Sequence, residues 1–164
     1  MLRMKDIRKL LAEARSRSTC KNIHIGAVIE TPAGECVIGW NGPPCRAGEH
    51  TRCQLGGPIT PDNMRHCPGV HAEVRAVCRA AEAGVSVRGG TMYLSEWFPC
   101  APCAVVVIEA GLSRLVVADE FKFIKDDCYN FGLARECLKK AGITVEERKD
   151  LSPGSRAKSL HGAP

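Results

Sequence analysis

Apolar residues recur along this chain with two spacings, one typical of helices and one typical of strands. Residues 4–18 carry apolar side chains at the i, i+3, i+4, i+7 positions of an amphipathic helix. Residues 24–31 are apolar and β-branched, which predicts a strand. A short turn separates them from residues 36–40, so the pattern predicts a β-hairpin after the first helix.

Three further helices and three further strands are predicted in alternation. Each of these helices stops at a glycine, which tolerates the left-handed backbone that commonly ends a helix. The predicted helices are 71–83, 100–110 and 129–141, and the predicted strands are 91–95, 114–118 and 143–147. This order of elements predicts an α/β fold, a three-layer α/β/α sandwich with a five-stranded mixed sheet.

Two stretches lie outside this periodic pattern. Residues 41–70 are rich in Gly, Pro, Cys, His and Arg, and so long a loop inside a compact domain is usually functional or held by a ligand. Residues 151–164 contain Pro, Gly, Ser and basic residues, which predicts a flexible C-terminal tail. We therefore expect a single domain over residues 1–150.

The composition is that of a globular protein with one core. The chain has 164 residues, of which 45% are hydrophobic and 25% charged, and this balance argues against intrinsic disorder. A net charge of +5 suits an anionic small molecule and does not demand nucleic acid. The N-terminal residues lack the apolar run of a signal peptide, and no stretch approaches membrane-spanning length. We expect a cytoplasmic protein whose ten cysteines serve metal binding and packing.

The main chemical signal is H-A-E at residues 71–73 together with P-C-A-P-C at residues 99–103. His71, Cys100 and Cys103 supply one imidazole and two thiolates, the ligands of a catalytic zinc whose fourth position is left for water. Both motifs fall at predicted helix starts, where exposed N–H groups and the helix dipole favour anionic thiolates. The sequence therefore predicts a catalytic zinc site.

Glu73 is the predicted catalytic residue. It follows His71 by two positions, so on a helix it points to a different side and is placed to handle protons, not to bind the metal. H-x-E followed by P-C-x-x-C is the recognised signature of zinc-dependent nucleobase deaminases. In such a reaction Glu73 takes a proton from water and delivers protons to the ring nitrogen and to the leaving amine.

Further motifs make the chain resemble one branch of that superfamily. They precede the H-A-E motif in the order Cys20, Gly26-Ala27-Val28, Gly39-Trp40-Asn41-Gly42-Pro43-Pro44 and His66-Cys67. With the zinc motif they resemble the deoxycytidylate (dCMP) deaminases over roughly residues 5–147. The Gly-Trp-Asn-Gly-Pro stretch is the part that points to this branch.

The resemblance implies the hydrolytic deamination of dCMP to dUMP with release of ammonia, a reaction that feeds thymidylate synthesis. It implies that Asn41 hydrogen-bonds the substrate's sugar and that the backbone at Ala72 faces the base. It also implies a homo-oligomer, a hexamer or a dimer, that responds to dCTP as activator and dTTP as inhibitor.

Three positions depart from the pattern of these deaminases. Arg75 stands where the family usually has asparagine, and it is either a helix-surface residue or a source of altered substrate or subunit contacts. Residues 95–98 are one residue longer than usual, and Trp97 or Phe98 either contacts the base or covers the core. Phe121 stands near a tyrosine that the family places beside the base, so its ring would stack without a hydroxyl.

A second, structural zinc is the next expectation. The resemblance places such a metal between the first helix, the long loop and the approach to the catalytic helix, and a closed four-ligand site would hold that loop in place. A scatter of free thiols and surface histidines is the alternative. The candidate ligands are Cys20, Cys53, Cys67, His50 and His66, with Cys45 as a substitute.

Two other functions compete with dCMP deamination. One is deamination of another cytosine or purine substrate, such as a nucleoside, a modified nucleotide or a tRNA adenosine; a tRNA would need a denser basic face and a salt-dependent affinity. The other is a catalytically silent zinc-binding scaffold. Glu73 argues against the scaffold, because a structural zinc site does not require that carboxylate.

Overall fold

In the part of the chain that the structure describes, nine regular elements and one 3₁₀ turn follow each other in the predicted order. The computed structural model describes residues 2–20, 23–44, 67–118 and 129–151. The elements are α1 (Met4–Ser16), β1 (Gly26–Glu30), β2 (Cys36–Trp40), α2 (Ala72–Glu82), β3 (Thr91–Leu94), α3 (Ala101–Glu109), β4 (Arg114–Val117), α4 (Phe131–Lys140), β5 (Thr144–Glu147) and the 3₁₀ turn Lys149–Leu151.

The five strands form one mixed sheet in the order β2-β1-β3-β4-β5. Strand β1 runs antiparallel to β2 and β3, whereas β3, β4 and β5 are parallel to one another. Helix α3 connects β3 to β4 and helix α4 precedes β5, as crossovers between parallel strands require.

Each face of the sheet is covered by helices. Val28, Tyr93 and Val116 lie side by side on neighbouring strands and pack with Ile7 and Leu11 of α1. Residues of the opposite parity point to the other face, where the buried side chains of α2, α3 and α4 complete a larger core. The three-layer α/β/α sandwich with a five-stranded mixed sheet is confirmed.

The observed elements differ from the predicted bounds by at most two residues, and the differences at α2 and α3 matter. His71 and Cys100 precede their helices as N-cap residues, with extended backbones at φ −76° and −65°. Glycines end several helices as predicted; Gly84, Gly111 and Gly142 all have φ between 68° and 74°.

Leu151, the last residue that the structure describes, lies one position beyond the predicted end of the domain. Leu151 is 3% exposed and belongs to the core beneath α1, so it is part of the folded unit. Residues 152–164, which carry the predicted flexible tail, lie outside the described residues. Within the described part of the chain, no helix is long and apolar enough to cross a membrane.

Candidate active site

The ends of two helices bring the three predicted zinc ligands together. His71 caps α2, while Cys100 caps α3 and Cys103 lies in its first turn. The Nδ1 atom of His71 lies 3.4 Å from Sγ of Cys100 and 3.3 Å from Sγ of Cys103. All three ligand atoms lie within 4.8 Å of one another.

Short backbone contacts hold the two helix ends in this position. A Cβ atom at Gly39 would lie 2.4 Å from the carbonyl oxygen of Ala72, so only glycine lets α2 pack this closely on β2. The N–H of Ala101 donates to the carbonyl of Tyr129 at 3.0 Å, which anchors the start of α3. One glycine and one loop carbonyl therefore help to position the zinc ligands, in addition to the zinc motif itself.

This ligand set fits zinc. Ligands bound to one tetrahedral zinc at about 2.0–2.3 Å lie roughly 3.5 Å apart, which matches the observed sulfur-to-nitrogen separations. Two cysteines and one histidine leave one position open, as in catalytic sites and unlike closed structural sites. Both cysteines are buried, and His71 is partly buried, so a bound ion would be shielded from solvent.

The pKa values of these groups show how strongly they interact. A hydrogen bond from the Cys103 thiol lowers the pKa of Cys100 to about 4. The same hydrogen bond, with burial, raises the pKa of Cys103. The hydrogen bond to Cys100 raises the pKa of His71 to about 9. The cluster thus holds protons that a divalent cation would replace.

Glu73 lies beside this cluster in the first turn of α2. It is 6% exposed, and burial raises its pKa. Its carboxylate shares a hydrogen bond with the Cys103 thiol. Among the described residues that line the adjacent pocket, it is the one carboxylate. A buried carboxyl group with a raised pKa is suited to accept and return a proton near neutral pH.

One wall of the pocket is aromatic. Tyr129 stacks on Phe131 with ring centroids 5.4 Å apart and meets Trp97 edge-on at 5.5 Å. Phe98 contacts Phe131 edge-on at 6.5 Å. Trp97 has φ 23°, an uncommon backbone conformation for a residue with a side chain. Trp97 and Phe98 both line the pocket, and Phe98 also belongs to the core; contact of either ring with the base stays a prediction.

Tyr129, Phe131 and Ile25 also line the pocket and are not among the predicted site residues. The sequence pattern assigned Tyr129 to the start of a helix, but α4 begins at Phe131 after Asn130, whose φ is 51°. This left-handed residue turns Tyr129 toward α3. A lone aromatic residue before a helix carries no local signal for that turn, so only the tertiary arrangement reveals it.

The two predicted polar contacts to substrate, Asn41 and Ala72, also line the pocket. Asn41 is 8% exposed, and its Oδ1 accepts hydrogen bonds from Ser18 Oγ at 2.7 Å and the Ile25 N–H at 2.8 Å. Its Nδ2 donates to the Ile23 carbonyl at 2.8 Å, and an amide nitrogen has a second hydrogen to donate. Ala72 lines the pocket as the first residue of α2, where helix N–H groups lack intrahelical partners.

Arg75 is not a helix-surface residue, so that interpretation is wrong. It is 6% exposed, and its Nη2 donates to the carbonyl oxygens of Gly42 at 3.2 Å and Pro43 at 2.6 Å. Its guanidinium carbon lies 5.3 Å from the centre of the Trp40 ring. The second interpretation, altered substrate or subunit contacts, stays a prediction.

The remaining predicted residues are tested only in part. Cys53, His50, His66, Cys45 and Phe121 lie outside the described residues. Cys20 and Cys67 are partly buried. A Cβ at Gly42 would be 3.8 Å from the Cys20 nitrogen, and Gly42 pairs with Val70, three residues beyond Cys67. The segments that carry these two cysteines therefore approach each other. Cys78 is exposed, so the expectation that cysteines outside the metal sites serve packing is wrong for this residue.

Comparisons with known proteins agree with this geometry. Residues 4–119 match the family described as the cytidine and deoxycytidylate deaminase zinc-binding region. ComE operon protein 2 of Bacillus subtilis is 30% identical over 132 residues, which are 80% of this chain and 63% of that protein. Deoxycytidylate deaminase of Saccharomyces cerevisiae is 30% identical over 144 residues, which are 85% of this chain and 42% of that protein. The chain thus spans less than two thirds of the length of either relative.

Solved structures show the same fold. The dCMP deaminase from the cyanophage S-TIM5, in complex with dCMP and dUMP, superposes with a TM-score of 0.67 at 23% sequence identity. The superposition covers 88% of this chain and 96% of that one.

Proposed function

The chain belongs to the cytidine and deoxycytidylate deaminase zinc-binding family, and from that membership and the site geometry we propose that it hydrolyses dCMP to dUMP and ammonia. The observation that carries this proposal is the position of Glu73. Its buried carboxyl group lies against Cys103, beside the three-ligand cluster, and lines the same pocket as the aromatic wall. A site with only a structural metal would have no use for a buried acid there.

His71, Cys100 and Cys103 are the residues that would hold the zinc ion. When bound, the ion supplies Lewis acidity, which brings the pKa of a water molecule toward neutrality. Burial of both cysteines keeps bulk water from the metal ligands. The raised pKa of Glu73 lets its carboxylate take a proton from the attacking water.

Glu73 then returns protons to the substrate. The proton taken from water goes to the ring nitrogen N3, which makes C4 of the base electrophilic toward the hydroxide that attacks it. A second proton, taken from the new C4 hydroxyl group, goes to the amino group as the C4–N bond breaks, which releases ammonia and leaves the C4 carbonyl. One carboxyl group carries out both transfers because it is the one acid among the described pocket residues. Proton handling of this kind contributes about 10²–10⁴-fold to a rate.

The proposal assigns the remaining pocket residues to binding. The base lies between the helix starts and the aromatic rings of Trp97 and Tyr129, which stabilise it by stacking and apolar contact. Asn41 is available as a donor through its second amide hydrogen, so it would donate to a sugar oxygen. The backbone N–H of Ala72 would donate to the carbonyl oxygen of the base.

Preference for a nucleotide rests on the resemblance and the relatives. The yeast relative named deoxycytidylate deaminase supports dCMP. The basic residues that could meet a 5′-phosphate lie outside the described residues; they are Arg46, Arg52, Lys122 and Lys125.

The wider proposal follows the sequence expectations. Residues 1–150, with Leu151, form one deaminase domain in the cytoplasm, and the dUMP it produces feeds thymidylate synthesis. The protein assembles as a homo-oligomer, a hexamer or a dimer, regulated by dCTP and dTTP. A second zinc is held by Cys20 and Cys67 with Cys53 and His50 or His66; the approach of the Cys20 and Cys67 segments at Gly42 supports it.

The experiment is ammonia release from dCMP, deoxycytidine, CMP and dCTP in parallel, with zinc measured on the same preparation. Turnover of dCMP well above the other three is the expected result, with about two zinc ions per chain. Preference for deoxycytidine would overturn the nucleotide assignment and keep the deaminase. Full zinc loading without turnover of any of the four would overturn dCMP as the substrate and favour either a modified substrate or the silent scaffold.

A further inference from the structure

Arg75 is a buried cation whose guanidinium binds the loop that follows β2. It lies in α2, one helical turn after His71, and is 6% exposed. Its Nη2 donates to two successive carbonyls, Gly42 at 3.2 Å and Pro43 at 2.6 Å. Burial of a cation is costly unless it is hydrogen-bonded, so these two bonds are a specific arrangement and not a casual surface contact.

Gly42 is tied to the catalytic helix from its other side as well. Its N–H donates to the Val70 carbonyl at 3.1 Å and its carbonyl accepts from the Val70 N–H at 2.8 Å. Val70 immediately precedes His71. The residue after Asn41 is thus attached both to the residue before the first zinc ligand and, through Arg75, to the first turns of α2.

Gly42 has little room to shift. Its φ is 148°, and a Cβ there would lie 2.8 Å from Thr19 Oγ1. The side chain of the preceding residue, Asn41, accepts hydrogen bonds from Ser18 and Ile25. The Asn41 side chain is therefore held by the segment between α1 and β1, and the carbonyls that follow Asn41 are held by α2.

We propose that Arg75 is a positioning residue: by binding the Gly42 and Pro43 carbonyls it sets where Asn41 stands relative to Glu73. The guanidinium bonds go to loop carbonyls, whereas the bond from Arg75 to a zinc ligand is a backbone one within α2, from its N–H to the His71 carbonyl at 3.0 Å. The effect on substrate binding rests on the proposed function, in which Asn41 contacts the sugar. The anchoring of Gly42 by Arg75 is independent of the proposed function. Loss of the anchor weakens the contact between Asn41 and the sugar, which is made equally in the ground and transition states. The KM therefore rises and kcat stays unchanged.

Two matched substitutions separate hydrogen bonding from packing. Arg75→Lys and Arg75→Met have long unbranched side chains, but only lysine donates hydrogen bonds. Arg79→Met is the control, because Arg79 lies one turn further along α2 with its guanidinium carbon 5.0 Å from the same Trp40 ring. In the described residues, Arg79 has no hydrogen bond to Gly42 or Pro43.

For Arg75→Met we expect the KM for dCMP to rise about tenfold, with kcat within about threefold and zinc content unchanged. Arg75→Lys should recover part of this loss, and Arg79→Met should leave KM within about twofold. Equal KM increases for lysine and methionine would overturn the proposal, because packing alone would then explain the effect. A fall in kcat with loss of zinc would also overturn it.

Amide hydrogen exchange at Gly42 and Val70 tests the anchor without substrate. Exchange at both amides should accelerate in Arg75→Met and stay at the wild-type rate in Arg79→Met. Unchanged exchange in Arg75→Met would overturn the anchor. If the wild-type protein does not turn over dCMP but exchange accelerates as expected, the proposed function fails while the positioning of Gly42 by Arg75 is supported.

Discussion

Two carboxylates, Glu30 and Glu73, are buried almost equally on opposite faces of the sheet, with 5% and 6% of their surfaces exposed. Glu30, at the end of β1, accepts hydrogen bonds from the Tyr93 hydroxyl at 3.0 Å and from the Leu2 N–H. Glu73 lies instead against a thiol and an imidazole, and burial raises its pKa. Their surroundings differ far more than their burial.

The difference shows that burial alone does not mark a catalytic acid. Hydrogen bonds from the Leu2 backbone amide and the Tyr93 hydroxyl hold the Glu30 carboxylate in the layer between α1 and the sheet. The neighbours of Glu73 are a thiol and an imidazole of the metal-ligand cluster, and its carboxylate lines a pocket. We therefore assign stability to Glu30 and chemistry to Glu73.

The largest expected effect comes from the ligands beside Glu73. Cys103→Ala should abolish zinc binding at the catalytic site and reduce ammonia release to background, because two remaining ligands hold zinc poorly. Zinc determination and ammonia assay on the same sample would check this. Cys78→Ala is the matched control, since Cys78 is an exposed thiol on α2. Retention of activity in Cys103→Ala would show that the metal lies elsewhere.

On the opposite face, Glu30→Ala should act on stability alone. The substitution leaves the Tyr93 hydroxyl and the Leu2 N–H without this acceptor, at a cost of about 1–3 kcal/mol in the free energy of unfolding. Urea denaturation measures the loss, and Glu35→Ala, at an exposed turn carboxylate, provides the control. An unchanged free energy of unfolding in Glu30→Ala would contradict a stabilising role for Glu30. Loss of zinc from the folded variant would contradict a role in stability alone.

Tyr93→Phe should have a smaller effect on the same network, about 1 kcal/mol, because it deletes one hydrogen bond and no charge. Burial and the bond to Glu30 raise the pKa of Tyr93 from 10.0 to about 12. A folded-state pKa above the unfolded value gives stability that is complete below pH 10 and is lost as pH rises toward about 12. Urea midpoints across that range should therefore converge for wild-type and Tyr93→Phe; a constant difference would contradict the assignment.

An exposed carboxylate should show almost no effect. Glu136 pairs with Lys140 at 2.7 Å on the outside of α4, where both side chains are more than half exposed. Glu136→Gln should change the free energy of unfolding by less than about 0.5 kcal/mol and leave the ammonia assay unchanged. An effect as large as that of Glu30→Ala would mean that burial does not distinguish these carboxylates.

The fold could be predicted because its signals are local. Each strand and helix has its own apolar period, and glycines such as Gly84 mark where helices end, so the order of elements led to the correct sandwich. The zinc ligands were predictable for another reason, since one metal constrains both residue type and spacing. The exact starts of the two helices were not predictable, because His71 and Cys100 cap their helices instead of lying inside them.

The parts that were missed depend on contacts between distant segments. Tyr129 reaches the pocket because Asn130 adopts a left-handed backbone and the Tyr129 carbonyl binds α3. Arg75 is buried because two carbonyls from a loop more than 30 residues earlier point at it. Neither position shows a periodicity or spacing from which such contacts could be predicted.

The most direct test of this account compares Glu73→Gln with Glu30→Gln, using ammonia release from dCMP and zinc content per folded chain. We predict that Glu73→Gln keeps its zinc and that its turnover falls by about 100-fold or more, since an amide does not relay protons. Glu30→Gln should keep both zinc and turnover. Turnover that survives in Glu73→Gln, or falls equally in both variants, would contradict the assignment of catalysis to Glu73.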